Sequence, residues 1–455
     1  MKSVIIAAPV SGSGKTTVTI GIMAALKKSG LTVAPFKVGP DFIDPGYHRI
    51  VTERPSINLD SWMTPKSRVL ESFARHGADA GIAVVEGVMG LFDGFGSGGE
   101  GSTAELARLT GSPVILVVNA KGFAASIAPL VKGFACFDPQ VRIGGLILNN
   151  VSSESHRKIL MDALSQALPD LPLVGAIMAD TGLQLPSRHL GLTTVEDAPL
   201  SADFLGHLTE VIERSLNLDR LLSIAASQDL PPVSAVQRGE ADTVIAVARD
   251  RAFCFVYEEN LELLRVSGAR IAEFSPLEDP DLPAGTDGIY LPGGYPELHG
   301  ERLAHNAAMK KAIKAAVDSG MPVYAECGGL IYLTKGCHLN GRFMEFAGVF
   351  PCEARMLPKR KALGYREIRL TGDSILGAAG ASARGHEFHY SEIGSMPPEV
   401  KRIYSVSRKG ETLGEEGYSL LNCLASYIHL HFGSNPKMAE AFVARCRRHK
   451  AVKVL

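Results

Sequence analysis

Pro9-Val10-Ser11-Gly12-Ser13-Gly14-Lys15-Thr16-Thr17 stands between a short apolar run, residues 4–8, and a segment with apolar Val18, Ile22, Ala25 and Leu26 near helical spacing. A glycine-rich loop between a strand and a helix is the setting a phosphate-binding loop requires. Glycines let backbone N–H groups wrap phosphate oxygens, the helix N-terminus adds a favourable dipole, a lysine reaches the outer phosphates and a hydroxyl ligates Mg²⁺. Ser11, Gly12, Ser13, Gly14, Lys15, Thr16 and Thr17 are therefore the candidate ATP-binding residues, with Thr16 also a candidate metal ligand. Pro9 stands where the usual pattern has its first glycine, and Gly30 is placed to stop the helix.

Outward from the loop, apolar runs recur at residues 32–38, 82–85, 113–118, 142–148 and 172–176, separated by helix-length segments. Strands apolar on both faces with helices between them predict a parallel sheet covered on both sides, so the first half is α/β. Ligands of such sheets gather beyond the carboxyl ends of the strands. Glu86, which closes the run Val84-Val85, is thus the main candidate metal-site acid. Asp41 and Asp44 follow another strand end in Lys37-Val38-Gly39-Pro40-Asp41-Phe42-Ile43-Asp44-Pro45-Gly46-Tyr47-His48, where they serve Mg²⁺ or substrate unless they are solvated turn residues. Asp93, in the glycine-rich crossing at residues 87–94, ranks below Glu86 for the same reason. Asn149 and Asn150 close a further strand, where their amides either read the edge of an adenine ring or cap a turn.

A chain of 455 residues exceeds the ~250–300 at which a single core stops growing, so two domains are expected. Helical residues 200–226 run into Ser227-Gln228-Asp229-Leu230-Pro231-Pro232, which suits neither helix nor central strand. The expected domains are 1–230 and 242–452. Beyond the break, strands are predicted at 243–248, 270–274, 288–291 and 322–325, a helix at 298–319, a strand at 425–431 and a helix at 438–447, making the second half a separate α/β domain. With 47 Lys+Arg against 48 Asp+Glu there is no whole-molecule field to favour nucleic acid or an anionic membrane. Seven cysteines without a C-x-x-C pair suit neither a disulfide framework nor a zinc site and point to the reducing cytoplasm. No apolar stretch approaches ~18 residues without a charge or breaker.

In the second half, Val323-Tyr324-Ala325-Glu326-Cys327-Gly328-Gly329-Leu330 puts a thiol at a sharp strand-to-helix turn, where glycines permit the strained backbone that exposes a nucleophile. The adjacent helix N-terminus is expected to lower the thiol pKa. Ser426-Tyr427-Ile428-His429-Leu430-His431-Phe432 supplies His429 and His431 as candidate bases on one face of a late strand. Gly293 and Gly294 of Leu291-Pro292-Gly293-Gly294-Tyr295-Pro296-Glu297, with Gly328, offer backbone N–H groups to a tetrahedral oxyanion. The other six cysteines read as buried hydrophobes. His386-Glu387-Phe388-His389 lacks the H-E-x-x-H spacing of a helical zinc pair.

Residues 11–17, 37–47, 86–93, 291–297, 326–329, 385–391 and 427–432 together resemble the cobyrinic acid a,c-diamide synthase family over nearly the whole chain. The resemblance implies a dethiobiotin-synthetase-like ATP domain followed by a class I glutamine amidotransferase domain. It implies ATP and Mg²⁺ as cofactors, and amidation of the a and c acetate carboxylates of a corrin-type macrocycle through acyl phosphates, in cobalamin biosynthesis. Asp44, Tyr47 and His389, with Arg366, are the residues expected to meet that macrocycle. The wider amidotransferase class carries His-x-Glu on its last catalytic strand; here the second position is His431, so His429 aligns with the base and no glutamate follows it. Small-molecule partners are expected, not nucleic acid or membrane, and a homodimer is allowed. Hydrogenobyrinic acid and nickel-sirohydrochlorin are alternative substrates, and cobyric acid synthase amidates other side chains of the same ring. A partitioning ATPase would want a lysine near Val10 and would leave Cys327 unemployed.

Overall fold

The computed structural model of the chain describes residues 1–96, 98–188, 191–227 and 241–453; residues 228–232, where the sequence puts its domain break, lie outside them. The chain divides into two units, Met1–Ser234 and Ala235–Leu455.

Strand and helix alternate through the first unit: β1 (Lys2–Ala7), α1 (Lys15–Lys28), β2 (Val33–Val38), α2 (Ile43–Thr52), β3 (Ile57–Leu59), α3 (Lys66–Gly77), β4 (Ile82–Glu86), α4 (Thr103–Thr110), β5 (Val114–Asn119), α5 (Ile127–Phe137), β6 (Ile143–Val151), α6 (Glu154–Ala167) and β7 (Leu173–Met178). The pair β8 (Ser187–Arg188) and β9 (Gly191–Leu192), then α7 (Ala202–Ser215), α8 (Leu218–Ile224) and β10 (Ala226–Ser227), complete it. The main sheet runs β3-β2-β4-β1-β5-β6-β7, all parallel, with β10 antiparallel on β1. Side chains alternate across a strand, and β1 is apolar on both sides. Val4 and Ile6 pack in one cluster with Val18 and Ile22 of α1 and Leu208 of α7, while Ile5 and Ala7 pack in another with Phe36, Phe73 and Leu116. After α1, Gly30 takes φ 89°, a left-handed conformation glycine adopts without a Cβ clash, and its N–H reaches the carbonyl of Lys27.

The second unit begins with β11 (Thr243–Ala248), α9 (Glu258–Val266), β12 (Ala269–Phe274), β13 (Gly288–Leu291), α10 (Gly300–His305), α11 (Ala307–Asp318), β14 (Val323–Glu326) and α12 (Gly328–Leu333). It continues with β15 (Gly336–Leu339), β16 (Arg342–Glu345), β17 (Ala354–Met356), β18 (Ala362–Leu370), β19 (Ser382–His389), β20 (Ser391–Ile393), β21 (Lys401–Arg408), β22 (Glu411–Leu420), β23 (Cys423–Ser426), β24 (His429–Leu430) and α13 (Lys437–Lys453). Its large sheet has the order β12-β11-β13-β14-β23-β22-β21-β18-β19-β24, and a smaller one the order β16-β15-β17-β20. The large sheet is parallel from β12 to β23 and antiparallel beyond.

Three predicted elements are broken in the structure, the first being residues 200–226, which divide into α7, α8 and the short strand β10. The helix expected over 298–319 is interrupted because the Asn306 side chain accepts the N–H of Met309 at 3.2 Å and starts α11 afresh. The strand expected over 425–431 is really two: β23 pairs in parallel with β14, whereas β24 pairs antiparallel with β19. Between them the N–H of Tyr427 is taken by the Glu416 carboxylate at 2.5 Å. His431 therefore lies just past the strand, still in extended backbone, and accepts the Gly433 N–H at the start of a short 3₁₀ turn.

Phe73 is wholly buried and meets Phe36 edge-on at 4.9 Å between ring centroids. Phe73→Ala is expected to lower the unfolding free energy of the first unit by about 3–5 kcal/mol through lost transfer and an unfilled cavity. The chain's one tryptophan, Trp62, is buried in this unit, so its fluorescence during urea unfolding is the measurement; an unchanged midpoint would refute the packing described.

Candidate active sites

In the first unit the loop between β1 and α1 makes two left-handed turns, Gly12 at φ 79° and Gly14 at φ 88°. A Cβ on Gly14 would lie 2.2 Å from Nδ2 of Asn149, whose amide donates to the Ser13 carbonyl at 3.0 Å. Asn149 thus braces the loop, and Asn150 donates to the Asn119 side chain at 3.2 Å. Both still line a cavity with Gly12, Gly14, Thr17 and Asp180. Lys15 Nζ donates to the carbonyl of Met89 at 2.9 Å; burial and the charge of Lys37 hold its pKa below the ordinary lysine value.

Behind the loop, Thr16 Oγ1 donates to Glu86 Oε1 at 2.7 Å and lies 3.4 Å from Asp44 Oδ2. The Lys37 ammonium sits among three acids, 2.5 Å from Asp44, 3.3 Å from Glu86 and 3.8 Å from Asp41. Burial would lower the Lys37 pKa, but these carboxylates override it and keep the ammonium charged. Burial likewise would raise Glu86, yet Lys37, His48 and Thr16 hold it well below the usual carboxylate range. His48 Nε2 contacts Glu86 Oε2 at 2.7 Å, and its Nδ1 meets Ser56 Oγ at 3.0 Å. Asp41 Oδ1 accepts the N–H groups of Ile43 and Asp44, so it also caps α2. Asp93 is a turn residue that accepts the Gly90 N–H.

In the second unit Cys327 sits between β14 and α12 with φ 45° and ψ −100°, strained for a residue with a side chain. Its N–H donates to the Ser426 carbonyl at 2.7 Å. Gly328 and Gly329 permit the turn: a Cβ on Gly328 would approach Gly294 N to 2.9 Å, and one on Gly329 would approach the Leu291 carbonyl to 2.2 Å. Gly294 has φ 157°, and a Cβ on Gly293 would lie 2.2 Å from Cε1 of His429. One glycine pair therefore touches both the Cys327 turn and the His429 ring. The expected lowering of the thiol pKa is not found. Burial pushes Cys327 up and Glu297 adds to the rise, outweighing the Gly328 N–H.

The two histidines differ in their surroundings. His429 Nδ1 lies 3.7 Å from Glu326 Oε2, and the His429 ring stacks on His386 at 4.9 Å and 14°. His431 accepts the Gly433 N–H on Nδ1, faces Glu259 at 3.5 Å through Nε2 and packs on Tyr257. His386 and His389 project to opposite faces of β19, as residues three apart on a strand must. Among the described residues no group of three His, Cys, Asp or Glu side chains is arranged to hold a metal ion.

The four residues expected to meet a macrocycle all have partners within the protein. Asp44 is buried against Lys37, and Tyr47 is buried with its hydroxyl on the Thr193 carbonyl at 2.7 Å. His389 bonds Glu387 and the Ser391 carbonyl and stacks on Tyr427 at 3.8 Å, while Arg366 pairs with Glu387 at 2.7 Å. Lys37, His48 and Glu326 went unassigned in the sequence. A lysine inside an apolar strand was the available signal for Lys37, because a buried ammonium needs carboxylates.

Among the described residues no helix is long and apolar enough to cross a membrane. Residues 4–192 match the CobQ/CobB/MinD/ParA nucleotide binding domain, and residues 244–437 match the CobB/CobQ-like glutamine amidotransferase domain. The chain is 44% identical to a cobyrinate a,c-diamide synthase of Syntrophotalea carbinolica, covering 97% of this chain and 98% of that one. Identity is 42% to the enzyme so named in Listeria innocua, over 96% and 97% of the two chains. It is also 42% to that of Picrophilus torridus, over 98% and 99%. With likeness of this extent along its whole length, the chain belongs to the cobyrinate a,c-diamide synthase family.

Proposed function

We propose that the chain amidates the a and c acetate carboxylates of cobyrinic acid, with ATP activating each acid and glutamine giving the nitrogen. What carries the reading is one chain holding both a thiol on a strained turn beside a glycine pair and a phosphate-binding loop backed by buried acids, with full-length relatives named cobyrinate a,c-diamide synthase. The seven free cysteines support a reducing, cytoplasmic setting.

At the thiol, Cys327 passes its proton to His429 as Sγ attacks the side-chain carbonyl of glutamine. Backbone N–H groups of Gly294 and Gly328 receive the oxyanion. As the tetrahedral species collapses, the C–N bond breaks, His429 returns the proton to the leaving nitrogen, and ammonia departs from a thioester that water cleaves to glutamate. A thiol whose pKa is raised by burial suits transfer at the moment of attack better than a standing thiolate. His431 acts as scaffold, since Gly433 and Glu259 engage its two nitrogens.

At the phosphate loop, Lys15 and the backbone N–H groups bear the charge of ATP while a substrate carboxylate attacks the γ-phosphoryl group. Ammonia then displaces phosphate from the acyl phosphate to give the amide. Thr16, Asp41 and Glu86 present a hydroxyl and two carboxylates, a hard oxygen set that fits Mg²⁺. Bound there, Mg²⁺ would neutralise phosphate charge. Lys37 already places a fixed cation among these acids and balances them when no nucleotide is present.

Cys327→Ala is expected to lose glutamine-dependent turnover by on the order of 10³–10⁶-fold and to keep amidation from added ammonium salts. Loss of both activities in a folded variant contradicts the division of labour. His429→Asn should cut glutamate release by about 10²–10⁴-fold and His431→Asn by less than about tenfold, the reverse order assigning the base to His431. Products from cobyrinic acid, hydrogenobyrinic acid and nickel-sirohydrochlorin, weighed by mass spectrometry, test the substrate; two amide-for-acid exchanges on cobyrinic acid are expected, and exchange only on another macrocycle would displace it.

A further inference from the structure

A histidine that takes a proton on one ring nitrogen works best when a carboxylate faces the other, fixing the tautomer and stabilising the imidazolium. In this chain the residue two positions after His429 is His431, which is itself engaged by Gly433 and Glu259. We propose that Glu326, the residue immediately before the nucleophile, is the carboxylate that positions His429. The proposal rests on the reading of Cys327 and His429 given above.

Glu326 is 1% exposed, and protein donors surround both of its oxygens. Oε1 accepts the Tyr324 hydroxyl at 2.7 Å and the N–H of Leu430 at 3.0 Å. Oε2 accepts the Tyr290 hydroxyl at 2.9 Å and lies 3.7 Å from His429 Nδ1. Burial pushes the pKa of both phenols up and the Glu326 charge adds to it, so they remain donors. The Leu430 bond matters most, because it ties the carboxylate to the residue next to His429 and so sets the strand as well as the ring.

The proposed pairing also implies a tautomer. Nδ1–H turned to Glu326 leaves the lone pair on Nε2, the form a thiol base requires. His431 adopts the opposite arrangement: Gly433 donates to Nδ1, which puts the proton on Nε2 toward Glu259. His386, stacked on His429, has its Nδ1 on the Tyr257 hydroxyl at 2.8 Å, so that nitrogen does not compete for Glu326. Catalytic contacts of this kind are commonly long without substrate and tighten in the complex, which is the change the 3.7 Å separation calls for.

The test uses the full-length enzyme with Glu326→Gln, whose amide can still accept from Leu430 and Tyr324. Expected is a fall in kcat for glutamate release of about 10²–10⁴-fold, with KM for glutamine within about twofold and ammonia-dependent amidation unchanged. In the wild type, ¹⁵N NMR of labelled histidine, with His429 identified by its loss in His429→Asn, should report the Nδ1–H tautomer. A wild-type kcat in Glu326→Gln, or an Nε2–H tautomer for His429, overturns the proposal. Equal loss of both activities would mean that the variant does not fold, and the wild-type tautomer then decides alone. If Cys327→Ala still releases glutamate, the underlying reading fails instead, an outcome separate from any result at position 326.

Discussion

A carboxylate sealed from water must be satisfied by protein donors, and the second unit is organised around one such group. Glu326 ends β14, fourth in the order of the large sheet, yet it accepts the N–H of Leu430 in β24, the last strand of that order. The bond joins strands that are not neighbours, so the antiparallel limb returns over the end of the parallel one. Leaving a buried carboxylate short of a donor costs on the order of 1–3 kcal/mol or more, so the closure is strongly enforced. The strained turn at Cys327, the glycine pair that touches it and the His429 ring all lie within reach of this closure.

The first unit concentrates charge instead of a single tie. Lys15, Lys37, Asp41, Asp44 and Glu86 form a cluster whose members are mostly buried, with His48 and Thr16 adding hydrogen bonds. Buried ion pairs seldom stabilise a fold relative to apolar packing, because desolvation offsets the attraction. The cluster lies at the carboxyl ends of β2 and β4, beside a phosphate loop, where ligands of parallel sheets gather. The apolar faces of the surrounding sheet supply the stability that this arrangement does not.

Much of the fold was legible because its strands are apolar on both faces and its helices are amphipathic, so local pattern and tertiary layer agree along β1, β2, β4, β5 and β11. The phosphate loop was legible for the same reason, its glycines and lysine being consecutive. What escaped depends on contacts distant in sequence. Residues 425–431 look like one strand, and only the change of partner from β14 to β19 divides them. Burial of Cys327 and the nearby Glu297 charge likewise have no local signature, so a helix N-terminus suggested a lowered thiol pKa where the structure gives a raised one. Asp44 and Tyr47 were read from a strand-end loop whose local pattern does not show that packing buries both.

The backbone at Cys327 carries a further implication for how such a protein changes over generations. Its torsions, φ 45° and ψ −100°, cost a side-chain-bearing residue about 1–3 kcal/mol, and glycine would occupy them with little strain. Relaxed selection would therefore favour exchange of this cysteine for glycine, trading the reactive group for a sturdier fold.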